Sequence, residues 1–220
     1  MSIAILVPST SKNRTWRTIN DSYLFKMLQS LCVTCSIHKY KIFIGIDSDD
    51  LFYSNYQLFI LAFPDIQMEF ITCNIQPGHV TAIWNILGKK AIEEGFEYMY
   101  ACGDDIEWCQ SGWAEECIKM LQLHNNIGMT GPRCIGNNRI ITQCFIHKTH
   151  IQIFGFIYPP EIMNWYCDDW INNIYPRTPL DKSIYCKNTG GKPRYIIKQC
   201  PELTLLVERD MKRIKEFISL

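Results

Sequence analysis

Residues 3–7, Ile-Ala-Ile-Leu-Val, form an unbroken apolar run that halts at Pro8. The run is short and apolar at every position, which reads as a buried strand. Two similar runs follow, at 41–46 and 98–102, with a third strand pattern at 68–72. Helical patterns separate them. Asp21 or Ser22 can cap a helix carrying Tyr23, Leu24, Met27, Leu28 and Leu31. Residues 79–94 place Val80, Ile83, Trp84, Leu87 and Ala91 on one side, and Gly95 ends them. Strands alternating with helices predict an α/β fold with a mixed, mainly parallel sheet flanked by helices.

The second half is less regular. Residues 111–123 and 165–175 read as helices, and 127–130 and 139–146 as strands. Residues 176–194 hold three prolines and Gly190-Gly191 and read as a loop, with Gly190-Gly191-Lys192 either a lid or an ordinary loop. Leu203, Val207, Met211, Ile214 and Ile218 mark an amphipathic C-terminal helix. A length of 220 residues, 47% of them apolar, fits one domain across 1–220 with its own core. Its expected parts are a nucleotide-binding half (1–106), an acceptor half (107–175), and a flexible loop with the last helix (176–220).

Equal numbers of basic and acidic residues, 22 each, argue against a nucleic-acid partner. No apolar run approaches the roughly 20 residues of a membrane span, and no secretory leader is evident, so a cytoplasmic protein is expected. The 11 cysteines then read as small buried hydrophobes. Cys32 and Cys35 form a CxxC motif with no second pair or matching histidines for zinc.

Acidic clusters carry the chemistry. Asp104-Asp105 closes the 98–102 strand, and Asp47, Asp49 and Asp50 close the 41–46 strand. Ligands of open α/β sheets bind at those strand ends. Adjacent carboxylates beside Ile106 and Trp108 call for a neutralising cation; Mg²⁺ or Mn²⁺ takes such oxygens together with diphosphate oxygens. The alternatives are a solvated Gly-Asp-Asp turn and helix caps at Asp49 or Asp50. Asp168-Asp169, flanked by aromatics, suits a general base or the first turn of a helix. Ser9, Thr10, Lys12 and Arg14 could meet phosphates or a base, or form a solvated loop. His147 and His150 could touch metal or phosphate, or serve structurally. Neither GxGxxG nor a Walker loop is present.

The ordered set resembles the GT-A glycosyltransferases, especially the family-2-like enzymes, over residues 3–175. The carriers are Leu6-Val7-Pro8-Ser9-Thr10, Asp47, Ile83-Trp84-Asn85, the strand ending at Asp104-Asp105, Gly155-Phe156 and Asp168-Asp169. The stretches 84–106 and 142–175 are similar to a small protist and large-virus group of these enzymes. The resemblance implies a sugar moved from a nucleotide-diphosphate donor, a uridine diphosphate sugar, to a hydroxyl of a glycan or glycoprotein, with inversion. It implies Mn²⁺ or Mg²⁺ on Asp105 and Asp104. Pro8, Ser9, Thr10, Arg14, Asp47, Asp49, Asn85 and Asp104 would contact the donor. Asp169 would be the base and Asp168 its substitute. Gly103-Asp104-Asp105 departs from the Asp-x-Asp pattern, and Trp84 replaces the usual Arg. A nucleotidyltransferase or a non-catalytic sugar-binding module are the other readings; the first lacks its Gly-rich signature here.

Overall fold

The computed structural model describes residues 2–35, 39–137, 139–175, 184–190 and 195–219. In chain order the elements are β1 (Ile3–Ser9), α1 (Tyr23–Thr34), β2 (Tyr40–Asp47), α2 (Gln57–Ala62), β3 (Met68–Cys73), α3 (Val80–Glu93), β4 (Tyr98–Ala101) and β5 (Ile106–Trp108). Then come α4 (Trp113–Leu123), β6 (Met129–Thr130), β7 (Arg133–Cys134), β8 (Cys144–His147), α5 (Thr149–Phe154), α6 (Cys167–Ile174), β9 (Tyr185–Asn188) and α7 (Leu203–Ile218). Two 3-10 turns lie at Ile19–Asp21 and Leu51–Asn55.

The main sheet has the order β3-β2-β1-β4-β8-β6. Its first four strands are parallel, and β8 and β6 add antiparallel pairings. All seven residues of β1 are buried. The strand period of two divides them between the faces. Ile3, Ile5 and Val7 join the core under α1 and α4, with Leu24, Leu28 and Trp113. Ala4 and Leu6 join the other core, with Leu87, Ile157 and Trp170. α3 lies tight on β2 because Gly45 has no side chain: a Cβ there would sit 2.3 Å from Ile83 Cγ2. Ser22 caps α1 by accepting from the Phe25 amide.

The chain leaves β1 toward β2 and β3, then returns to set β4 on β1's other side. The order reverses between β1 and β4, and a crevice opens over their carboxyl ends.

Three expectations change. The strand read over 139–146 is confined to Cys144–His147, because Ile141 exchanges its backbone bonds with the Asn172 amide and has none to give a ladder. The loop read over 176–194 contains β9, which pairs with β5 and β7 in a second, three-stranded sheet. Its four residues carry too little apolar pattern to read as a strand; 176–183 and 191–194, with most of the Gly-Gly-Lys stretch, lie outside the described residues. α2 was not expected either. Seven of the eleven cysteines are buried, consistent with packing residues. Among the described residues no helix is long and apolar enough to cross a membrane.

Candidate active site

The crevice is stitched at its centre by Ser9, the last residue of β1. Its hydroxyl donates to Asp104 Oδ2 at 2.6 Å, across the switch point, and also bonds the Tyr53 hydroxyl. Asp104 is fully buried. The loop after β1 is shaped by Asp50, whose carboxylate accepts from Thr10 Oγ1, the Ser11 amide and hydroxyl, and the Phe52 amide. Asp50 therefore combines the helix-cap role with a hold on the 10–11 backbone. Lys12 lies 3.4 Å from Asp47 and 2.8 Å from Asp49. The hydrogen bond that Lys12 donates to Asp49, with help from Asp47, raises the Lys12 pKa.

The second acidic element is the Gly103–Asp105 turn after β4. Three contacts fix it. The Gly103 amide donates to Gln143 Oε1 at 2.9 Å, and the Thr189 amide donates to the Asp105 carbonyl at 2.9 Å. Gly190 lies flat against the Asp105 carboxylate, where a Cβ would fall 1.7 Å from Oδ2. Arg14 stacks over Tyr23 and donates to the Gly190 carbonyl at 3.1 Å, so it braces this wall of Asp105. No group of three or more His, Cys, Asp or Glu side chains set to hold a metal ion occurs among the described residues. Two carboxylates do suit Mg²⁺ or Mn²⁺ when substrate phosphates and water complete the shell. Gly190, with no side chain, lets the backbone pass against the Asp105 carboxylate without a clash.

Beside these acids lies a cleft of about 460 Å³. Pro8 and Ser9 line it from the end of β1, Thr10 and Lys12 from the loop after it, Asp47 from β2, and residues 76–80 with Ile83 from the approach to α3 and its first turn. Met163, Asn164, Tyr195, Ile196 and Lys198 close it. Asn164 is buried and ties this rim together. Its amide donates to the Gly78 and Ile196 carbonyls, and its oxygen accepts from the Trp165 and Lys198 amides. Gln76, His79, Asn164 and Lys198 were absent from the sequence-based set. Only Gly78, which opens a turn with φ 82°, marks that stretch in the sequence.

Pro8, Ser9, Thr10 and Asp47 thus line one cleft, while Asp104 and Asp105 stand on the adjoining turn. Asn85, expected at the donor, does not line the cleft. Its oxygen accepts from the Ile157 and Tyr158 amides and its nitrogen donates to the Tyr158 carbonyl, so its hydrogen-bonding capacity pins the 157–158 backbone to α3. Asp49 is exposed beside Lys12, outside the cleft lining.

Asp168 and Asp169 occupy the first turn of α6, after Tyr166 at φ 76°. A bulky residue in the left-handed region is strained and marks a constrained bend. Burial, then the neighbouring Asp169, raises the Asp168 pKa. Asp169 is partly exposed, 3.2 Å from the Arg139 guanidinium. Both acid pairs lie at the same end of the sheet. Burial pushes the Cys102 and Cys144 thiols up, with Asp105 and Asp104 adding to the first and Asp168 to the second. Cys144 is the register partner of Ala101, next to Cys102. α6 is held by α7: the buried Asp210 accepts from Trp170 Nε1 at 3.1 Å and pairs with Arg209 and Arg213.

His147 and His150 both have partners within the fold. His147 pairs with Tyr98 at the opposite end of β4, and its Nδ1 bonds Thr149. His150 is buried between Tyr175 and the Ile157 carbonyl, and burial lowers its pKa to about 4.

No family profile and no curated protein matches this sequence. Solved structures of Staphylococcus aureus TarS do match. One TarS crystal structure superposes with a TM-score of 0.65 at 11% identity, covering 96% of this chain and 39% of TarS. TarS 1–349 with UDP-GlcNAc gives 0.67 at 12% identity, covering 96% and 66%. The same segment with UDP gives 0.64 at 12%, covering 96% and 64%. The chain thus spans from 39% to 66% of the length of these structures. The likeness is one of fold: the chain has a mixed α/β fold, a mainly parallel six-stranded sheet flanked by helices, that matches these structures.

Proposed function

We propose that the chain is a metal-dependent glycosyltransferase that moves a sugar from a nucleotide-diphosphate donor, a UDP-sugar, to a hydroxyl of a glycan or glycoprotein. The observation that carries the reading is the Ser9–Asp104 bond. It joins a nucleotide-sized cleft over the ends of β1 and β2 to a turn bearing two carboxylates, at the switch point where such folds bind ligands. The UDP and UDP-GlcNAc held by S. aureus TarS structures of the same fold support the donor class. The narrower kinship with virus and protist enzymes is part of the proposal and rests on the sequence stretches 84–106 and 142–175.

Each residue has a task in this reading. Asp47, on the cleft wall, accepts an N–H from the nucleobase edge, releasing Lys12 toward Asp49. Pro8 to Thr10 line the nucleoside, and Arg14 braces Gly190 behind Asp105. Asp105 and Asp104 would hold Mn²⁺ or Mg²⁺, which would supply Lewis-acid neutralisation of the departing diphosphate. Asp169 takes the proton from the acceptor hydroxyl, with Arg139 orienting its carboxylate. Asp168, more buried and harder to ionise, is the substitute base. Attack from the face opposite the diphosphate inverts the anomeric centre.

The test is calorimetric titration with UDP, with and without Mn²⁺. Metal-dependent binding that disappears in Asp105→Ala supports the reading, and silence toward both uridine and guanosine diphosphates overturns it. Asp169→Ala should keep donor binding and lose transfer; unchanged turnover would remove Asp169 from the base role.

A further inference from the structure

Cys134 and Cys186 face each other across the small sheet. They are register partners on β7 and β9. Neighbouring strands run about 4.8 Å apart, inside the roughly 4.4–6.8 Å Cα window that a disulfide spans. Both side chains enter the same core, with Ile184, and their thiols hydrogen-bond each other. Cys102 and Cys144, though close in register, join opposite cores and do not face each other in this way.

The two thiols are unequal. The Cys186 thiol donates to the Cys134 sulfur and the Asn188 amide adds a second bond, which lowers the Cys134 pKa and favours its thiolate. Cys134 keeps 8% exposure and Cys186 none. β7 is a two-residue edge strand, and the next residue, Ile135, is 59% exposed. So short an edge opens locally, and hydrogen peroxide is small enough to reach a sulfur there. A thiolate at an opening edge, beside a second thiol that can resolve it, is the arrangement of oxidation-sensitive pairs. We propose that Cys134 and Cys186 form a peroxide-oxidised dithiol, with Cys134 attacked first. The Cys134 thiolate takes one oxygen of hydrogen peroxide. The O–O bond breaks, a sulfenic acid forms, and the other oxygen leaves as water with the thiol proton. Cys186 sulfur then attacks the Cys134 sulfur, the S–O bond breaks, and a second water carries off the Cys186 proton. Two thiols and one peroxide become one disulfide and two waters.

The bond reaches the candidate site through β9. That strand runs directly into Thr189, whose amide holds the Asp105 carbonyl, and Gly190, which lies against the Asp105 carboxylate. Closing the sulfurs to about 2.05 Å draws β9 toward β7 and shifts this wall. Oxidation therefore weakens metal-dependent UDP binding. That consequence rests on the donor reading above; the disulfide itself does not.

The experiment treats the protein with hydrogen peroxide, maps its tryptic peptides, and titrates it with UDP plus Mn²⁺. Peptides 134–139 and 183–187 should appear joined. UDP affinity should fall about tenfold and return with dithiothreitol. Cys186→Ala should leave Cys134 as a sulfenic acid trapped by dimedone, and Cys134→Ala should form no link and keep its UDP affinity under peroxide. Peptide mapping of the wild type carries the test if a variant fails to fold. Peptides that stay separate, or that join other cysteine peptides just as often, overturn the dithiol. A joined pair with unchanged UDP affinity overturns its control of the Asp105 wall. An untreated wild type blind to UDP overturns the donor reading, and the joined peptides still decide this one.

Discussion

Ser9→Ala removes the hydroxyl that joins β1 to β4 over the crevice. Ser9 is buried, Asp104 is fully buried, and the bond between them is 2.6 Å long. A hydrogen bond to a charged group contributes about 1.5–3 kcal/mol, and the neutral bond to Tyr53 about 1 kcal/mol. Loss of both should cost roughly 3 kcal/mol. With a urea m-value of about 2 kcal/mol/M, the unfolding midpoint should fall by roughly 1.5 M. Tyr53→Phe keeps the Ser9–Asp104 bond and should cost about 1 kcal/mol. A double-mutant cycle of Ser9→Ala with Asp104→Ala should return a coupling of about 1–2 kcal/mol, since the two touch directly. If Ser9→Ala cost no more than Tyr53→Phe, or the coupling vanished, the cross-strand bond would not hold the crevice together.

Gly190→Ala drives a methyl group into the Asp105 carboxylate, so Mn²⁺-dependent UDP binding should weaken at least ~10-fold, read by calorimetry. Asp210→Ala strips the Trp170 indole of its acceptor and two arginines of their partner; with those arginines partly hydrated, about 2–3 kcal/mol should be lost in urea melts, and Asp210→Asn should lose less. Stability should fall as pH drops from about 6.5 toward 4, because the unfolded chain protonates His150 while burial keeps it neutral until about pH 4 in the folded chain. The integrated effect is up to roughly 3 kcal/mol, and His150→Gln should flatten that part of the pH–stability curve.

Much of this molecule was legible in one dimension. The apolar run 3–7 became β1 with every residue buried, because a strand covered on both faces needs no polar alternation. The acids Asp47, Asp104 and Asp105 were findable because they follow such strands, and strand ends of a parallel sheet converge on one edge. Ser22 declared the start of α1 through local cap chemistry. What the sequence could not carry were the pairings across long separations. β5, β7 and β9 have three, two and four residues and exist because they complete one another. Gly190 meets Asp105, Asn164 meets Gly78, Lys198 and Ile196, and Asn85 turns to Tyr158 rather than to the cleft. Those meetings depend on where the chain returns in space. Periodicity and caps are properties of neighbours along the chain, whereas a cleft wall is a property of segments that only packing brings side by side.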